Sequence, residues 1–322
     1  MRRLPKHIDR KHPLVTGQYA IFTPAVDAFV EKLGDWIDGK VTGGYIYGPS
    51  RVGKTRAIRF YLGSVLAERF GGPVPLHVWS RPFVQKSAAE IYMSMLDGFK
   101  HAYGGKRASP NERLAILKEF FIASAGSCRT NSAYLIVDEA QGLTTQEWLW
   151  LLAVQNTLDS EGYALSVFSV ASHQMAYEFN LLARTGNPHV GARFLVDHWT
   201  FPGVQSIEEL EYILNGYDED SQWPRENGKS YLAYFAPDAF EQGKRLAHCA
   251  ANLWECLVAL LPAGAVIDWN FPMKHIALAA EDALFRLASG EDWSEVTSQE
   301  SWIDALTKHR FADHMRAVSV DL

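Results

Sequence analysis

The sequence predicts an α/β fold in which a parallel sheet flanked by helices is followed by a small all-helical domain. Short apolar runs ("GYIYG", "VPLHVWS", "AYLIVDEAQ" and "ALSVFSVAS") alternate with longer amphipathic segments. Strands that alternate with helices of this length are typical of a parallel sheet, because each crossover between parallel strands needs room for a helix. From about residue 206 onward only the helical apolar spacing remains, which indicates a change of domain.

The helices of the first part are predicted from their ends as well as from their apolar spacing. In "FTPAVDAFVEKLGDWIDG", Thr23 can cap the helix and Pro24 suits its first position. A second helix, "TRAIRFYLGSVLAERFGG", ends at a glycine pair. Further helices are predicted in "VQKSAAEIYMSMLDGFKHAY", "PNERLAILKEFFIASAG" and "TTQEWLWLLAVQNTLDSEG".

The C-terminal part shows helical spacing in "SIEELEYILNGY", "FEQGKRLAHCAANLWECLVALL" and "MKHIALAAEDALFRLASG". The last stretch contains "SQESWIDALTKHRFADHMRAV", which predicts one more helix or a docking tail. We therefore divide the chain into a basic N-terminal arm (1–20), an α/β core (21–205), a helical lid (206–289) and a C-terminal tail with a partner-docking helix (290–322).

Composition and charge exclude several classes of protein. The net charge of −6 gives no overall basic field, so nucleic-acid binding would need a local basic patch or an assembly that aligns several of them. Cys128, Cys249 and Cys256 lack the spacing of a metal site. The basic N-terminus "MRRLPKHIDRKHPL" lacks the apolar core of a signal peptide, and no apolar run approaches the ~20 residues of a membrane span. We expect a bacterial cytoplasmic protein without a membrane partner, associated with the nucleoid when it is on DNA.

The segment between the first predicted strand and the next helix fits the phosphate-binding pattern G-x-x-x-x-G-K-[ST] at every fixed position. It reads Gly48-Pro49-Ser50-Arg51-Val52-Gly53-Lys54-Thr55, and Arg56 follows it. Between a strand and a helix, the backbone N–H groups of such a P-loop surround phosphates at the positive end of the helix. We expect Lys54 to reach the β- and γ-phosphates of ATP and Thr55 to ligate Mg²⁺.

Two adjacent acids follow a buried strand in "LIVDEAQ". Asp138 would stand at the carboxyl end of that strand, where it can hold the water shell of Mg²⁺, and Glu139 can polarise an attacking water. An Asp-Glu pair is a weak signal alone, but together with the P-loop it predicts an ATPase that hydrolyses ATP to ADP and phosphate.

The order of these elements resembles the AAA+ superfamily of P-loop NTPases, and within it the transposition ATPases called TnsC, TniB, IstB and MuB, most closely the TnsC/TniB branch. The similar segments are "YIYGPSRVGKT", "AYLIVDEAQGL", "LSVFSVASHQM" and "LLARTGNPHVGARFLVDHWTF", within roughly residues 20–260. Gln141 after Asp-Glu-Ala favours the transposition branch. The resemblance implies an ATP-dependent, DNA-binding regulator of transposition that oligomerises on target DNA and links target selection to the transposase.

The resemblance also implies roles for individual residues. The strand "ALSVFSVAS" should lie beside the P-loop strand, and Ser172 falls at the position of the polar sensor of the γ-phosphate. Arg184 and Arg193 lie where these ATPases supply an arginine finger to the neighbouring subunit, and a surface arginine on a loop is the alternative for each. Lys244 stands near the position of a second sensor, where a solvated helix face is the alternative.

Related ATPases form rings or helical filaments around duplex DNA, with about six or seven subunits per turn. The polar loop "FKHAYGGKRAS" holds Lys100, Lys106 and Arg107, and these cations, repeated around an assembly, would grip the DNA backbone. A solvated loop is the alternative. The implied partners are double-stranded DNA, further copies of this chain, a transposase and a target-selection protein of the TniQ/TnsD type, which would meet the tail around Trp302.

Other functions share some of these features. A helicase loader or replication-initiator-like AAA+ ATPase would contain every ATP-site residue named above. A signalling NTPase switch is usually much longer, because it carries sensor repeats. A kinase of small metabolites has less use for Glu139 and would show a substrate domain. No constellation of three acids for DNA cleavage stands out, so strand transfer would belong to a separate transposase.

Overall fold

A computed structural model of the protein describes residues 4–103, 108–225, 228–262 and 270–320 of the 322-residue chain. The chain divides into two compact units. The sheet unit comprises Ala28–Gly48 and Tyr61–Phe201, and the helical unit comprises Met1–Asp27, Pro49–Phe60 and Pro202–Leu322.

Five parallel strands form the sheet of the sheet unit. They are β1 (Gly43–Tyr47), β2 (Leu76–Ser80), β3 (Ser132–Asp138), β4 (Ala164–Ala171) and β5 (Asp197–Thr200). Their order is β2-β3-β4-β1-β5, so the predicted pairing of β4 with the P-loop strand β1 is confirmed. Because every pairing is parallel, the strands end at one edge, which we call the carboxyl edge.

The ends of β1 and β3 are level on either side of β4. Tyr47 ends β1 opposite Ala171, and Asp138 ends β3 opposite Val170. The segments that follow β1, β3 and β4 therefore leave the sheet side by side at the carboxyl edge.

The α-helices include those predicted in the sheet crossovers. In chain order they are α1 (Pro13–Thr16), α2 (Pro24–Asp38), α3 (Lys54–Ala57), α4 (Gly63–Arg69), α5 (Ala88–Gly98), α6 (Pro110–Ser127), α7 (Thr145–Asp159), α8 (Glu178–Arg184), α9 (Pro188–Phe194), α10 (Ile207–Asn215), α11 (Tyr231–Phe235), α12 (Pro237–Glu241), α13 (Ala250–Ala259), α14 (Met273–Ala288), α15 (Trp293–Val296), α16 (Gln299–Lys308) and α17 (Phe311–Val320). The Thr23 hydroxyl accepts the N–H of Val26 at the start of α2, as predicted. Within the described ranges, no helix combines the length and apolar character that a bilayer crossing requires.

Both faces of the sheet are covered by apolar side chains, because successive residues of a strand point to opposite faces. Leu135 and Val137 of β3 are fully buried in one cluster with Trp148 of α7. On the other face, the ring of Trp36 in α2 stacks on Phe168 of β4, with 5.5 Å between the centroids. A sheet buried on both faces explains why its strands are continuous apolar runs in the sequence.

The segment predicted as a basic arm packs into the core of the helical unit. Leu14 and Tyr19 are no more than 5% exposed and belong to the apolar cluster that also contains residues of α10 to α17. The cations Lys6, Arg10 and Lys11 stay exposed. These three charges therefore face solvent, while the side chains of Leu14 and Tyr19 are buried.

The C-terminal stretch forms α15, α16 and α17 rather than the one helix predicted. Arg310 adopts φ of 58°, a left-handed conformation that ends the regular helix between α16 and α17. Trp302 of α16 is 1% exposed in the core of the helical unit. Its indole is therefore unavailable to a partner, although partner docking was predicted around it.

The helical spacing of "FEQGKRLAHCAANLWECLVALL" does not correspond to one continuous helix. Gly243 has φ of 76° after α12, and a 3₁₀ helix (Leu246–Cys249) precedes α13. The buried Asp218 carboxylate accepts the N–H groups of Leu246 and Ala247, at 3.0 and 2.9 Å. This acceptor lies elsewhere in the chain, so apolar spacing alone did not reveal the break.

Two buried histidines should make the fold sensitive to acid. Burial lowers the pKa of His12 and of His275 from 6.5 to about 4. Between these values the unfolded state binds more protons than the folded state, so the free energy of unfolding should fall as the pH is lowered from 6.5 towards 4. The loss amounts to at most about 3 kcal/mol for each histidine. We expect a lower denaturant midpoint at about pH 5 than at about pH 7.

Two single variants separate this effect from general acid sensitivity. In His275→Gln the free energy of unfolding should decline less as the pH is lowered, because glutamine does not titrate. His248→Gln changes an exposed histidine of the same unit and should leave the decline as it is. Burial raises the pKa of Asp218 to about 6, which opposes the histidines over part of the range. It is one group against three, because burial lowers the pKa of His77 to about 4 as well. An equal decline in both variants would assign the acid sensitivity to other groups.

Candidate nucleotide-binding site

The P-loop (48–55) begins directly after β1, where the chain leaves the carboxyl edge. Gly48 has no room for a side chain, because a Cβ there would collide with the carbonyl oxygen of Phe201. The backbone of Phe201 is itself fixed, since its N–H donates to the Tyr47 carbonyl oxygen at 2.7 Å. The first glycine of the pattern is thus required by the close approach of the chain that follows β5.

Two residues of the P-loop adopt left-handed backbone conformations. Gly53 has φ of 117°, which residues with a side chain rarely adopt. Arg51 has φ of 67° despite its side chain, a costly conformation that clusters at functional turns. Turns that mix right- and left-handed residues in this way form concave backbone surfaces that bind anions.

Helix α3 starts at Lys54 and continues through a π-helical turn (Ile58–Leu62) into α4. Its N-cap is Gly53, so no side chain caps the N–H groups of the first turn. The Lys54 ammonium donates to the Pro49 carbonyl oxygen at 2.7 Å, which holds it against its own loop. Donors of this kind at the start of a helix fit the phosphates of a nucleotide.

Other parts of the helical unit contact the P-loop segment at two points that the sequence did not predict. The N–H of Lys274, in the first turn of α14, donates to the Arg51 carbonyl oxygen at 3.1 Å. The Arg56 guanidinium donates to the Tyr19 carbonyl oxygen and lies 5.5 Å from the centroid of the Tyr19 ring. The Tyr19 hydroxyl donates to Glu281 Oε1 at 2.5 Å. These partners are far apart in the sequence, and no local pattern marks them.

Asp138 and Glu139 stand at the carboxyl edge in different environments. Asp138 is 4% exposed, and its Oδ1 accepts the N–H of Glu139 at 3.1 Å. Glu139 is exposed and has φ of 61°, a strained conformation for a residue with a side chain. The sharp turn thus leaves one carboxylate buried at the strand end and the other in contact with water. These environments suit the predicted roles of metal ligand and water-orienting base.

The side chains present fit Mg²⁺ bound together with a nucleotide. In the part of the chain that the structure describes, no group of three or more histidine, cysteine or acidic side chains is arranged to hold a metal ion. Mg²⁺ does not need such a group, because it usually binds one or two protein oxygens, water and the phosphates of its substrate. The Thr55 hydroxyl and the Asp138 carboxylate are oxygen ligands of that kind.

Ser172 follows β4 at the carboxyl edge and is joined to the acidic turn by Gln141. The Oε1 of Gln141 accepts the N–H of Ser172 at 3.2 Å, and its Nε2 donates to Glu139 Oε2 at 2.7 Å. In the sequence Gln141 marked only the family resemblance, and nothing local revealed its contact with Ser172.

A buried ion pair lies at the same edge, beside β2. Arg81 follows β2, and its N–H donates to the Asp138 carbonyl oxygen at 3.3 Å. Its guanidinium forms hydrogen bonds of 3.1 and 3.0 Å with Glu147, whose side chain is fully buried. Burial raises the pKa of Glu147, but the hydrogen bonds from Arg81 and from neighbouring groups outweigh that effect and hold the pKa below its ordinary value. This pair was not predicted from the sequence. Its one local sign there is the capping-box pattern at the start of α7.

The two candidate arginine fingers lie in different surroundings. Arg193 pairs with Asp159 at 2.8 Å and donates to Gln155 Oε1 at 3.2 Å. A Cβ on Gly43 would press on the Arg193 carbonyl oxygen, which places Arg193 beside the first residue of β1, at the edge opposite the P-loop. Arg184 ends α8, is exposed, and forms no ion pair within the described ranges.

The remaining predicted site residues lie on the surface or outside the described residues. Lys244 does not open a helix but lies in the turn between α12 and the 3₁₀ helix, with its Nζ 6.0 Å from the centroid of the Trp293 ring. Lys100 is exposed just after α5. Lys106 and Arg107 fall outside the described residues.

The P-loop, the acidic turn after β3, and β4, which lies between β1 and β3 in the sheet, all belong to one continuous stretch of the chain. Residues 41–175 match the family model of the AAA domain. The matched segment begins before β1 and ends after β4, so β5 and the C-terminal helices lie outside it. The predicted fold class, an AAA+ P-loop sheet flanked by helices with a helical C-terminal region, is confirmed. The match is to the AAA domain as a whole and not to the TnsC/TniB branch.

Solved structures similar to the chain include two that contain DNA. The Aeropyrum pernix ORC1 protein in complex with DNA is 14% identical over 97% of this chain and 100% of that chain, with a TM-score of 0.44. Drosophila ORC bound to DNA is 14% identical over 92% of this chain and 68% of that chain, with a TM-score of 0.49. Thermotoga maritima RuvB is 16% identical over 85% and 73%, with a TM-score of 0.34. TM-scores below 0.5 carry nothing further about function. No curated protein matches the chain.

Proposed function

We propose that the protein is an ATPase whose P-loop and acidic turn act on one ATP molecule. The observation that carries this proposal is the level ending of β1 and β3 on either side of β4. The P-loop continues β1 and Asp138 ends β3, so both would serve a ligand at the carboxyl edge, the usual ligand side of a parallel α/β sheet. The AAA domain match includes both elements.

Each residue has one task in this proposal. The backbone N–H groups from Ser50 to Lys54 hold the phosphates, and the Lys54 ammonium adds positive charge at the β- and γ-phosphates. When bound, Mg²⁺ neutralises charge on those phosphates, and Thr55 and Asp138 hold it from the protein side. Glu139 orients the attacking water and accepts its proton.

We further propose that the active form is an oligomer in which Arg184 completes the ATP site of a neighbouring copy. Tyr177, the N-cap residue of α8, and Leu181 within α8 are 68% and 51% exposed, and both precede Arg184 at helical spacing. Exposed apolar side chains next to a cation suit contact with another protein surface, and a second copy supplies the ATP phosphates that the guanidinium would stabilise. Arg193, held by Asp159 at the opposite edge of the sheet, is the weaker candidate.

Arg184→Ala should lower the ATPase rate of the assembled protein by about 1,000-fold or more, while the isolated monomer keeps its ATP affinity. Arg193→Ala is the matched comparison and should lower the ATPase rate much less, because it breaks only an exposed ion pair worth about 1 kcal/mol or less. Mixing Arg184→Ala protein with Glu139→Gln protein should partly restore hydrolysis, since each supplies across a mixed interface what the other lacks. Normal assembly without such rescue would place the finger elsewhere.

We propose that this ATPase regulates DNA transposition. It would assemble with ATP as a ring or filament on double-stranded DNA and link a target-selection protein of the TniQ/TnsD type to a transposase. The support is the resemblance of the four segments named above, including Gln141 after Asp-Glu-Ala. A helicase loader would use the same ATP residues, but its ATP-bound form would act on a helicase rather than on a transposase.

Duplex binding should require ATP and assembly and should show little sequence preference. With a net charge of −6, the monomer has only local cations to offer the DNA backbone. Replacing Lys100, Lys106 and Arg107 with alanine should weaken binding to all sequences alike. The slope of log affinity against log salt concentration should also become shallower, by about 0.9 for each phosphate that the protein no longer neutralises. The measurement is a salt titration with a slowly hydrolysed ATP analogue.

The matched control removes Lys40 and Arg129, two exposed cations next to the amino ends of β1 and β3. That double variant should keep the salt dependence of the wild type. Hydrolysis without DNA should change little in the triple variant, because the loop is not expected to touch ATP. An unchanged salt dependence in the triple variant would remove the loop from the DNA path. Tight binding by monomers without ATP would contradict the assembly.

A further inference from the structure

We propose that Gln141 is a positioning residue for Glu139, tying the Glu139 carboxylate to the backbone at the end of β4. This inference rests on the proposed ATP hydrolysis and adds a residue that has no task in it so far. Its basis is the hydrogen bonding of one side chain and the support of the turn that carries it.

The Gln141 side chain makes two hydrogen bonds with partners of opposite kind. Its Nε2 donates to Glu139 Oε2 at 2.7 Å, and its Oε1 accepts the N–H of Ser172 at 3.2 Å. A carboxylate can only accept and a backbone N–H can only donate, so the partners determine which end of the amide faces which. Glutamine is the uncharged side chain of this length that offers a donor and an acceptor side by side.

Glu139 needs such an anchor because its side chain is exposed at a strained turn. Within the described ranges, Gln141 is the one side chain that hydrogen-bonds to its carboxylate. An unanchored glutamate is spread over several rotamers, and selecting one of them costs up to about 2 kcal/mol. A group that must orient a water reacts faster when it is held in place beforehand.

Arg81 packs against the turn that carries Gln141. A Cβ on Gly142 would come within 2.5 Å of Arg81 Nη1, so the guanidinium lies directly against the turn. Arg81 is in turn held by its two hydrogen bonds to the buried Glu147. The Gln141 side chain therefore connects a supported turn to the end of a central strand.

This connection gives Ser172 a second way to influence hydrolysis. Its hydroxyl is the predicted sensor of the γ-phosphate, but its backbone N–H is what orients the Gln141 amide. A shift of the backbone after β4 would move that amide and, with it, the Glu139 carboxylate.

Gln141→Leu tests the role directly, because leucine fills similar space and makes neither hydrogen bond. We expect kcat for ATP to fall about 10- to 100-fold, as for a catalytic group displaced by about 1 Å. ATP affinity, measured with a fluorescent ATP analogue, should stay within about twofold of the wild type. Gln141→Glu should also be slow, because a second carboxylate cannot donate to Glu139 and repels it.

Gln146→Leu and Gln146→Glu are the matched controls. They make the same changes at an exposed glutamine of α7 and should match the wild type in kcat and ATP affinity. A Gln141→Leu protein with the wild-type kcat would overturn the positioning role. A loss of ATP affinity as large as the loss of kcat would overturn it too, since the residue would then act on binding or folding.

Ser172 allows a second test that leaves Gln141 intact. Its φ of −82° lies close to the value that proline imposes, so Ser172→Pro removes the N–H with little change of backbone. Ser172→Ala removes the hydroxyl alone. The kcat of the proline variant should lie about 5- to 10-fold below that of the alanine variant, the effect of one lost hydrogen bond. Equal rates would overturn the connection, whereas a wild type without ATP hydrolysis would overturn the proposed function itself.

Discussion

Lys54→Ala should lose ATP binding, whereas Glu139→Gln should bind ATP normally and hydrolyse it slowly. Removing one partner of a desolvated, hydrogen-bonded charge pair costs about 2 to 5 kcal/mol, which is a loss of ATP affinity of about 30- to 4,000-fold. Glu139 lies on an exposed turn after β3 and is proposed to act on the water, so its amide analogue should retain affinity. Its hydrolysis rate should fall about 100- to 10,000-fold, the usual contribution of a general base.

The measurement is a titration with a fluorescent ATP analogue alongside steady-state phosphate release. Arg59→Ala is the matched control for Lys54→Ala, because Arg59 is an exposed cation in the π-helical turn of the same helical segment. It should bind ATP as the wild type does. Equal losses of affinity in the Lys54 and Glu139 variants would contradict the division of roles between them.

Arg81→Met should be the most destabilising single change at the carboxyl edge. It leaves the Glu147 carboxylate fully buried without its cation, and breaking a buried pair from one side costs about 3 to 5 kcal/mol. The double variant Arg81→Met/Glu147→Gln should recover part of that loss, because no buried charge remains. Chemical denaturation at neutral pH gives both values.

Asp159→Asn is the comparison for an exposed pair. Its partner Arg193 is 32% exposed, so the free energy of unfolding should change by about 1 kcal/mol or less. If Arg81→Met cost no more than Asp159→Asn, the burial of Glu147 would not matter to stability. If the double variant were no more stable than Arg81→Met, the loss would come from packing rather than from the charge.

The parts of the candidate site that could be predicted are those whose chemistry is local in the sequence. The P-loop pattern is complete within eight positions, and Gly48, Gly53 and Lys54 take the places that the pattern assigns to them. The alternation of strands and helices likewise predicted a parallel sheet, whereas the position of β4 beside β1 was implied by the family resemblance. Local signals suffice here because backbone conformation and strand periodicity depend on near neighbours.

The contacts that could not be predicted join residues distant in the sequence. Arg51 meets Lys274, and Gln141 meets Ser172, through hydrogen bonds to backbone groups that any residue type could supply. Arg193 carries no local sign of its ion pair with Asp159, so the sequence left it equal to Arg184 as a finger candidate. A single sequence does not show which distant residues meet.

The packing of the N-terminal residues bears on how the protein can be shortened or tagged. By composition alone this stretch resembles a dispensable leader, which is a common target for trimming to improve expression. Deleting it through Tyr19 would strip Leu14 from the helical core and take away the carbonyl group that holds Arg56. Arg56 directly follows the P-loop, so the trimmed protein should lose stability and ATP binding together. That joint loss would be easy to misread as direct contact between the leader and the nucleotide.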